Sequence, residues 1–253
     1  MTTYSSAERR LSLARIGAVA RLRVRRVIRT RTLPAALVLT FAPWVLLDSA
    51  SLAGRLASLT MFTLVGLTVI GAGAIAEDLD SGEYAIVLTH DTSPLELLAG
   101  QAAASLALAG SLVVLQLPIA LWGIAPFPNI AALMLCIAWL AALLAGWLAL
   151  MLLLATFLEG RANAVAMLLV LFLPIMLNSA VLEGLPHAVA VTIGGVLQWL
   201  PQPSYASAMF RTLLYRTTAP NIAPLVLLAS PFIYFTLASI RLRRLEPAGR
   251  LTQ

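Results

Sequence analysis

The chain of 253 residues is 60% hydrophobic and only 11% charged, with a mean hydropathy of +0.93. Soluble domains are about 45–50% apolar and about 25% charged, so this composition excludes a soluble fold and predicts an all-α polytopic membrane protein. All 17 basic residues are arginine, which excludes chemistry that needs lysine, including a G-x-x-x-x-G-K-S/T phosphate loop and Schiff-base catalysis.

Residues 1–32 read as a basic cytoplasmic segment. Within it, Leu13, Ile16, Ala20, Val24 and Val27 recur at helical spacing, with Arg15, Arg21, Arg25, Arg26 and Arg29 on the opposite side. This predicts an amphipathic helix over 8–31, lying along the interface with its arginines on anionic head groups. Its role is either a topology anchor or a helix that also packs on a cytoplasmic partner and transmits its movement. Arginines 21–31 interrupt any apolar h-region, so no cleavable signal peptide is expected.

Six hydrophobic stretches follow, at 33–47, 56–76, 97–124, 130–158, 164–182 and 222–240. A span needs about 20 apolar residues, so the first is short and the third and fourth are long enough to tilt. Asn129, Asn163 and Asn221 are the expected N-caps of the last three. Ser93-Pro94-Leu95-Glu96 reads as a capping box for the third, with proline in the first turn. Pro118 and Pro174 fall inside spans and should kink them. Placing the N-terminus inside puts fourteen of the arginines in cytoplasmic segments and leaves Arg55, Arg211 and Arg216 outside. The positive-inside rule therefore predicts six spans, both termini cytoplasmic, and a cytoplasmic tail at 241–253.

The segment after the second stretch breaks that rule. Residues 77–96 hold six of the eleven acids and no arginine. One reading is a docking element for a basic cytoplasmic protein, with Tyr84, Ile86, Val87 and Leu88 on a short helix. The alternative is a metal-dependent membrane phosphotransferase, because Asp78, Asp80, Glu83 and Asp91 are ligands of the type that holds Mg²⁺. Residues 183–220 are too long and too apolar for a plain loop. They predict two short helices or a re-entrant hairpin in the outer leaflet, with Trp199, Tyr205 and Tyr215 at the interface. Within spans two to five the interior polar groups are Gln101, Gln116, Asn178 and hydroxyls. That lack of ionisable residues argues against an ion-coupled pump and suits an apolar or amphiphilic cargo. Cys136 is the only cysteine, and His90 and His187 lack ligand-spaced neighbours, so no metal site is expected there.

Two stretches carry a resemblance. The acidic segment runs as E-x-x-x-x-G-E from Glu77 to Glu83 and continues from Leu88 through Ser93-Pro94 to Gly100-Gln101. Gln202-Pro203-Ser204-Tyr205 is followed by Arg211 ahead of the last span. With the basic leading helix, these resemble the membrane permease of the type-two ABC exporter family, Gln101 and Gln202 standing where that family commonly has lysine and asparagine. The chain also resembles the haem-exporter permeases of cytochrome c maturation.

The resemblance implies a transmembrane domain at 33–240 that works as a homodimer, or as a heterodimer with a related permease, above two copies of a separate ATP-binding cassette subunit. ATP and Mg²⁺ belong to that partner. The chain itself is not an enzyme, binds no cofactor, metal or nucleic acid, and sits in the cytoplasmic membrane among its lipids. Glu77, Asp78, Asp80, Gly82, Glu83, Tyr84 and Leu88 are the implied coupling residues. Arg15, Arg21, Arg25, Arg26 and Arg29 belong to the transmitting interfacial helix. Pro203, Tyr205 and Arg211 belong to an outer gate, and spans one, two and five line the dimer interface and path.

Overall fold

The computed structural model describes residues 12–29, 32–46, 51–72, 93–124, 129–158, 160–176, 186–218 and 222–245. The described residues are about 90% helical and include no strand. In chain order these form α1 (Leu13–Arg29), α2 (Thr32–Phe41) running into a 3-10 turn (Ala42–Leu46), α3 (Leu52–Gly71), α4 (Pro94–Leu121), α5 (Ile130–Ala155), α6 (Gly160–Met176), α7 (His187–Trp199), α8 (Pro203–Tyr215) and α9 (Ala223–Leu245). Four segments are long and apolar enough to cross a membrane: Leu52–Gly71, Leu95–Leu121, Ile130–Ala155 and Ala223–Leu242. The protein is therefore a membrane-embedded, multi-pass helical bundle. Two shorter apolar helices, Leu33–Trp44 and Gly160–Pro174, correspond to the first and fifth predicted stretches.

Local chemistry explains several boundaries. Ser93 opens α4 with the full capping box: Glu96 N donates to Ser93 Oγ at 3.2 Å, and Ser93 N donates to Glu96 Oε2 at 2.8 Å. Asn129 caps α5 by accepting from Ala131 N at 2.9 Å. Asn163 does not cap the fifth stretch, contrary to expectation. The helix already begins at Gly160, so Asn163 lies in its first turn and its side chain is drawn into the bundle. Asn221 and Asn178 lie outside the described residues. Pro118 and Pro174 fall inside α4 and α6, and Pro231 inside α9.

Helix α5 is the centre of the bundle. It packs along α9 and also meets α3, α4, α6 and α8. Trp147, Leu143 and Met151 are fully buried. Several polar side chains between the helices are paired. Trp147 Nε1 donates to Thr68 Oγ1 at 3.1 Å, tying α5 to α3. Gln116 donates to Thr63 Oγ1 at 2.9 Å and accepts from Trp44 Nε1 at 3.0 Å, joining α4, α3 and the 3-10 turn. Without such partners a buried amide in hydrocarbon would cost several kcal/mol.

Glycine permits the closest approaches. A Cβ on Gly146 of α5 would overlap Ser230 Oγ of α9 and stand 3.3 Å from Pro201 Cβ, whereas one on Gly110 of α4 would meet nothing within 4 Å. Gly146→Val is expected to lower the thermal unfolding midpoint of the detergent-purified protein by an amount equivalent to about 1–3 kcal/mol of overpacking. Gly110→Val should leave the midpoint nearly unchanged. Equal effects of the two would contradict the packing described.

Candidate functional site

Helix α1 lies across both roots of the acidic segment. At its start, Ser12 N donates to Glu96 Oε1 at 2.7 Å. Arg15 Nη1 stands 3.8 Å from Glu96 Oε2, with Glu96 nearly inaccessible and Arg15 at 41% exposure. Farther along, buried Arg23 donates from Nη2 to the carbonyl of Ile70 at 2.9 Å. Glu96 follows the acidic segment and Ile70 precedes it. Positions 15 and 23 are separated by about 12 Å of helix, so one rigid rod spans the two attachment points. Between them α1 crosses α4 closely, a Cβ on Gly100 lying 2.5 Å from Val19 Cβ.

The same end of α3 is held from a second side. Asn163 Nδ2 donates to Ala72 O at 2.9 Å and to Met151 O at 3.2 Å. The final carbonyls of a helix have no amide partners of their own. Here an arginine from α1 and an asparagine from α6 supply them, so the end of α3 that leads into the acidic segment is fixed by α1, α5 and α6 together.

A second polar cluster sits at the turn between α7 and α8. The carbonyls of Leu197, Gln198 and Trp199 each accept from a side chain. Gln202 Nε2 serves the first, Tyr205 Oη the second at 2.9 Å, and Tyr234 Oη of α9 the third at 2.9 Å. Pro201 in this turn packs against Gly146, which lies about 24 Å along α5 from Ile130 and about 14 Å from Ala155. The turn thus reaches beyond the middle of α5. The opposite end of α8 returns to the start of α3, where Ala53 N donates to Tyr215 Oη at 3.5 Å. Arg55 nearby donates to the carbonyl of Trp122 at the end of α4.

Of the sequence-predicted residues, Arg15 meets Glu96, Arg26 is half-buried, and Arg21, Arg25 and Arg29 are exposed. The protein-facing side of α1 holds Ile16, Val19, Arg23 and Val27, while Leu13 is exposed. Pro203 begins α8 and Tyr205 enters the α7–α8 cluster, but Arg211 is exposed and stays apart from it. Glu77, Asp78, Asp80, Gly82, Glu83, Tyr84, Leu88 and Asp91 lie outside the described residues. Sequence reasoning missed Arg23, Asn163 as an internal donor, and Tyr234. Arg23 had a readable signal, since it is three residues from Ala20 and four from Val27, on the apolar face. Nothing local marked the other two.

Glu96→Ala should raise hydrogen exchange at the amides of Ser12 to Ile16 at least tenfold, and Glu96→Gln, which keeps an acceptor for the cap, by less. Tyr234→Phe should destabilise the purified protein by about 0.6–1.7 kcal/mol, the range of interhelical hydrogen bonds in membranes. No change in exchange, or in unfolding midpoint, would contradict these contacts.

No protein-family model matches the chain, and no curated protein matches it.

Proposed function

We propose that the chain is the transmembrane permease subunit of an ATP-driven exporter of the type-two ABC class, moving an apolar or amphiphilic substrate out of the cytoplasm or inner leaflet. The observation that carries this reading is α1 bonded to both roots of the acidic segment, through Arg23 to Ile70 and through Ser12 and Arg15 to Glu96. A membrane protein driven by an external motor needs a rigid element joining the motor's docking loop to the spans. Here the loop would be 77–96 and the rigid element α1.

On this reading the four long helices are joined by the two shorter ones to make six spans, with both termini in the cytoplasm of the inner membrane. Helix direction supports that orientation. Arg55 lies at the same bundle end as the close of α4, whereas Arg23 and Arg15 lie at the end where α3 finishes and α4 begins. The α7–α8 turn, packed past the middle of α5 with its carbonyls served by side chains, supports a re-entrant hairpin, because backbone outside a helix is tolerated at that depth only when so satisfied. On this reading hydrolysis falls to two copies of a separate cassette subunit carrying ATP and Mg²⁺, and the lack of any lysine for a G-x-x-x-x-G-K-S/T loop in this sequence fits that division. The permease itself would be a dimer.

Purification of the chain from its native membranes should bring down a Walker-type ATPase, and its consistent absence would overturn the reading. In the reconstituted complex, Arg23→Leu should lower transport per ATP by about 2- to 30-fold, equivalent to 0.5–2 kcal/mol of coupling, while the ATPase stays bound. Glu77→Gln and Gly82→Leu should do the same. Unchanged coupling in all three variants would remove α1 and the acidic segment from the transmission path.

A further inference from the structure

The arginines of α1 divide by their surroundings. Arg15 and Arg23 are bonded to Glu96 and to Ile70, and Arg26 is half-buried with an interaction of its own. Arg21, Arg25 and Arg29 are exposed, and none of the three has a hydrogen bond or an ion pair among the described residues. They recur every four residues and so form one row along the helix. Arg21 and Arg25 stand two residues either side of Arg23, turned about 200° from it, so the row points away from the bundle. Leu22 and Ile28 flank the row, each about 20° beyond its outermost arginine, and both are exposed.

Arg23 also sets the level of the row. Its guanidinium meets Ile70, one residue before the end of the membrane-crossing segment Leu52–Gly71. Arg21 and Arg25 are each about 3 Å from Arg23 along the axis of α1. The row therefore lies where a span leaves the hydrocarbon, on the side of α1 that no described helix covers. In the first half of α1 the outward positions are Ala14 and Ala18, so the uncovered charge is confined to the half beside the end of α3. Guanidinium groups at that level, with aliphatic side chains to either side, suit a phospholipid surface: phosphates accept from the arginines and the aliphatic groups enter among the head groups. A soluble acidic protein would match the charge, but it would have to bind at head-group level and cover Leu22 and Ile28 as well.

We infer that Arg21, Arg25 and Arg29 dock on the phosphates of anionic phospholipids, and that this contact holds the second half of α1 at the membrane surface. Ile16 and Val27, predicted to lie on lipid, face the bundle instead, so the attraction is chiefly electrostatic and sensitive to salt. The contact depends on the membrane setting alone and not on the exporter reading.

The test places the full-length protein in nanodiscs of phosphatidylcholine, with or without phosphatidylglycerol, and follows phenylglyoxal modification of each arginine by mass spectrometry. Phosphatidylglycerol should slow the modification of Arg21, Arg25 and Arg29 about threefold or more, and high salt should restore the rate. It should also raise the unfolding midpoint above that in phosphatidylcholine alone, since a lipid that binds the folded state stabilises it. Combined Arg21→Gln, Arg25→Gln and Arg29→Gln should remove at least half of this excess. Arg211→Gln with Arg216→Gln, exposed near the other end of the bundle, should retain it. Equal modification rates with and without phosphatidylglycerol would overturn the proposal, as would a midpoint excess that survives the triple substitution or falls as much in the double one. If the row is protected in native membranes but not by phosphatidylglycerol, a protein covers it and the proposal falls. Should the triple variant fail to fold, the labelling of the unaltered protein decides alone.

Discussion

The last carbonyls of a helix have no amide to accept from, and in apolar surroundings each costs several kcal/mol until a donor reaches it. Among the described residues, the final carbonyls of α3 and of α7 are both served by side chains. Arg23 and Asn163 close α3, while Gln202, Tyr205 and Tyr234 close α7. Arg23, Asn163 and Tyr234 reach these carbonyls from helices distant in sequence and so tie those helices together, whereas Gln202 and Tyr205 act from the adjoining turn. The Arg23 bond adds a tie from α1, which packs along α4, to the end of α3, and the Tyr234 bond adds one from α9 to the α7–α8 turn.

The interior polarity obeys the same rule. Gln116, Thr63 and Trp44 satisfy one another across three elements, and Trp147 is satisfied by Thr68. These groups are consumed by packing and leave no chain of ionisable side chains through the described helices. On the proposed exporter reading, coupling would rest at the end of the bundle where α1 is bonded to Ile70 and Glu96, on either side of the acidic segment.

The membrane class, the helical content and several helix starts were legible in the sequence because they depend on hydropathy and on short-range capping, whereas hydropathy alone left other boundaries three to five residues out. Ser93, Glu96 and Asn129 act within three residues of themselves, so their roles could be read directly. Asn163 misled for a physical reason. An asparagine beside an apolar run looks like a cap, but here the helix starts three residues earlier and the amide is used across the bundle. Tyr234 bonds a carbonyl 35 residues away, a distance no local pattern encodes. Arg23 lay between these cases. Its place on the apolar face of α1 was readable, whereas the carbonyl it serves was set only by the docking of α1 along α4, beside the end of α3.

Helix α7 is held chiefly at one end. Leu197 is its only buried residue, so it adds little to the hydrophobic core, and its place is determined by the three carbonyls of its final turn. Its partner α8 is anchored along its length by Tyr205, Ala206, Met209 and Phe210. The pair is thus mechanically unequal. Among the described residues, α7 therefore touches the bundle mainly through its final turn, by Leu197 and by the carbonyls that Gln202, Tyr205 and Tyr234 serve, and a tilt of the helix about that turn disturbs far less buried surface than the same tilt of α8.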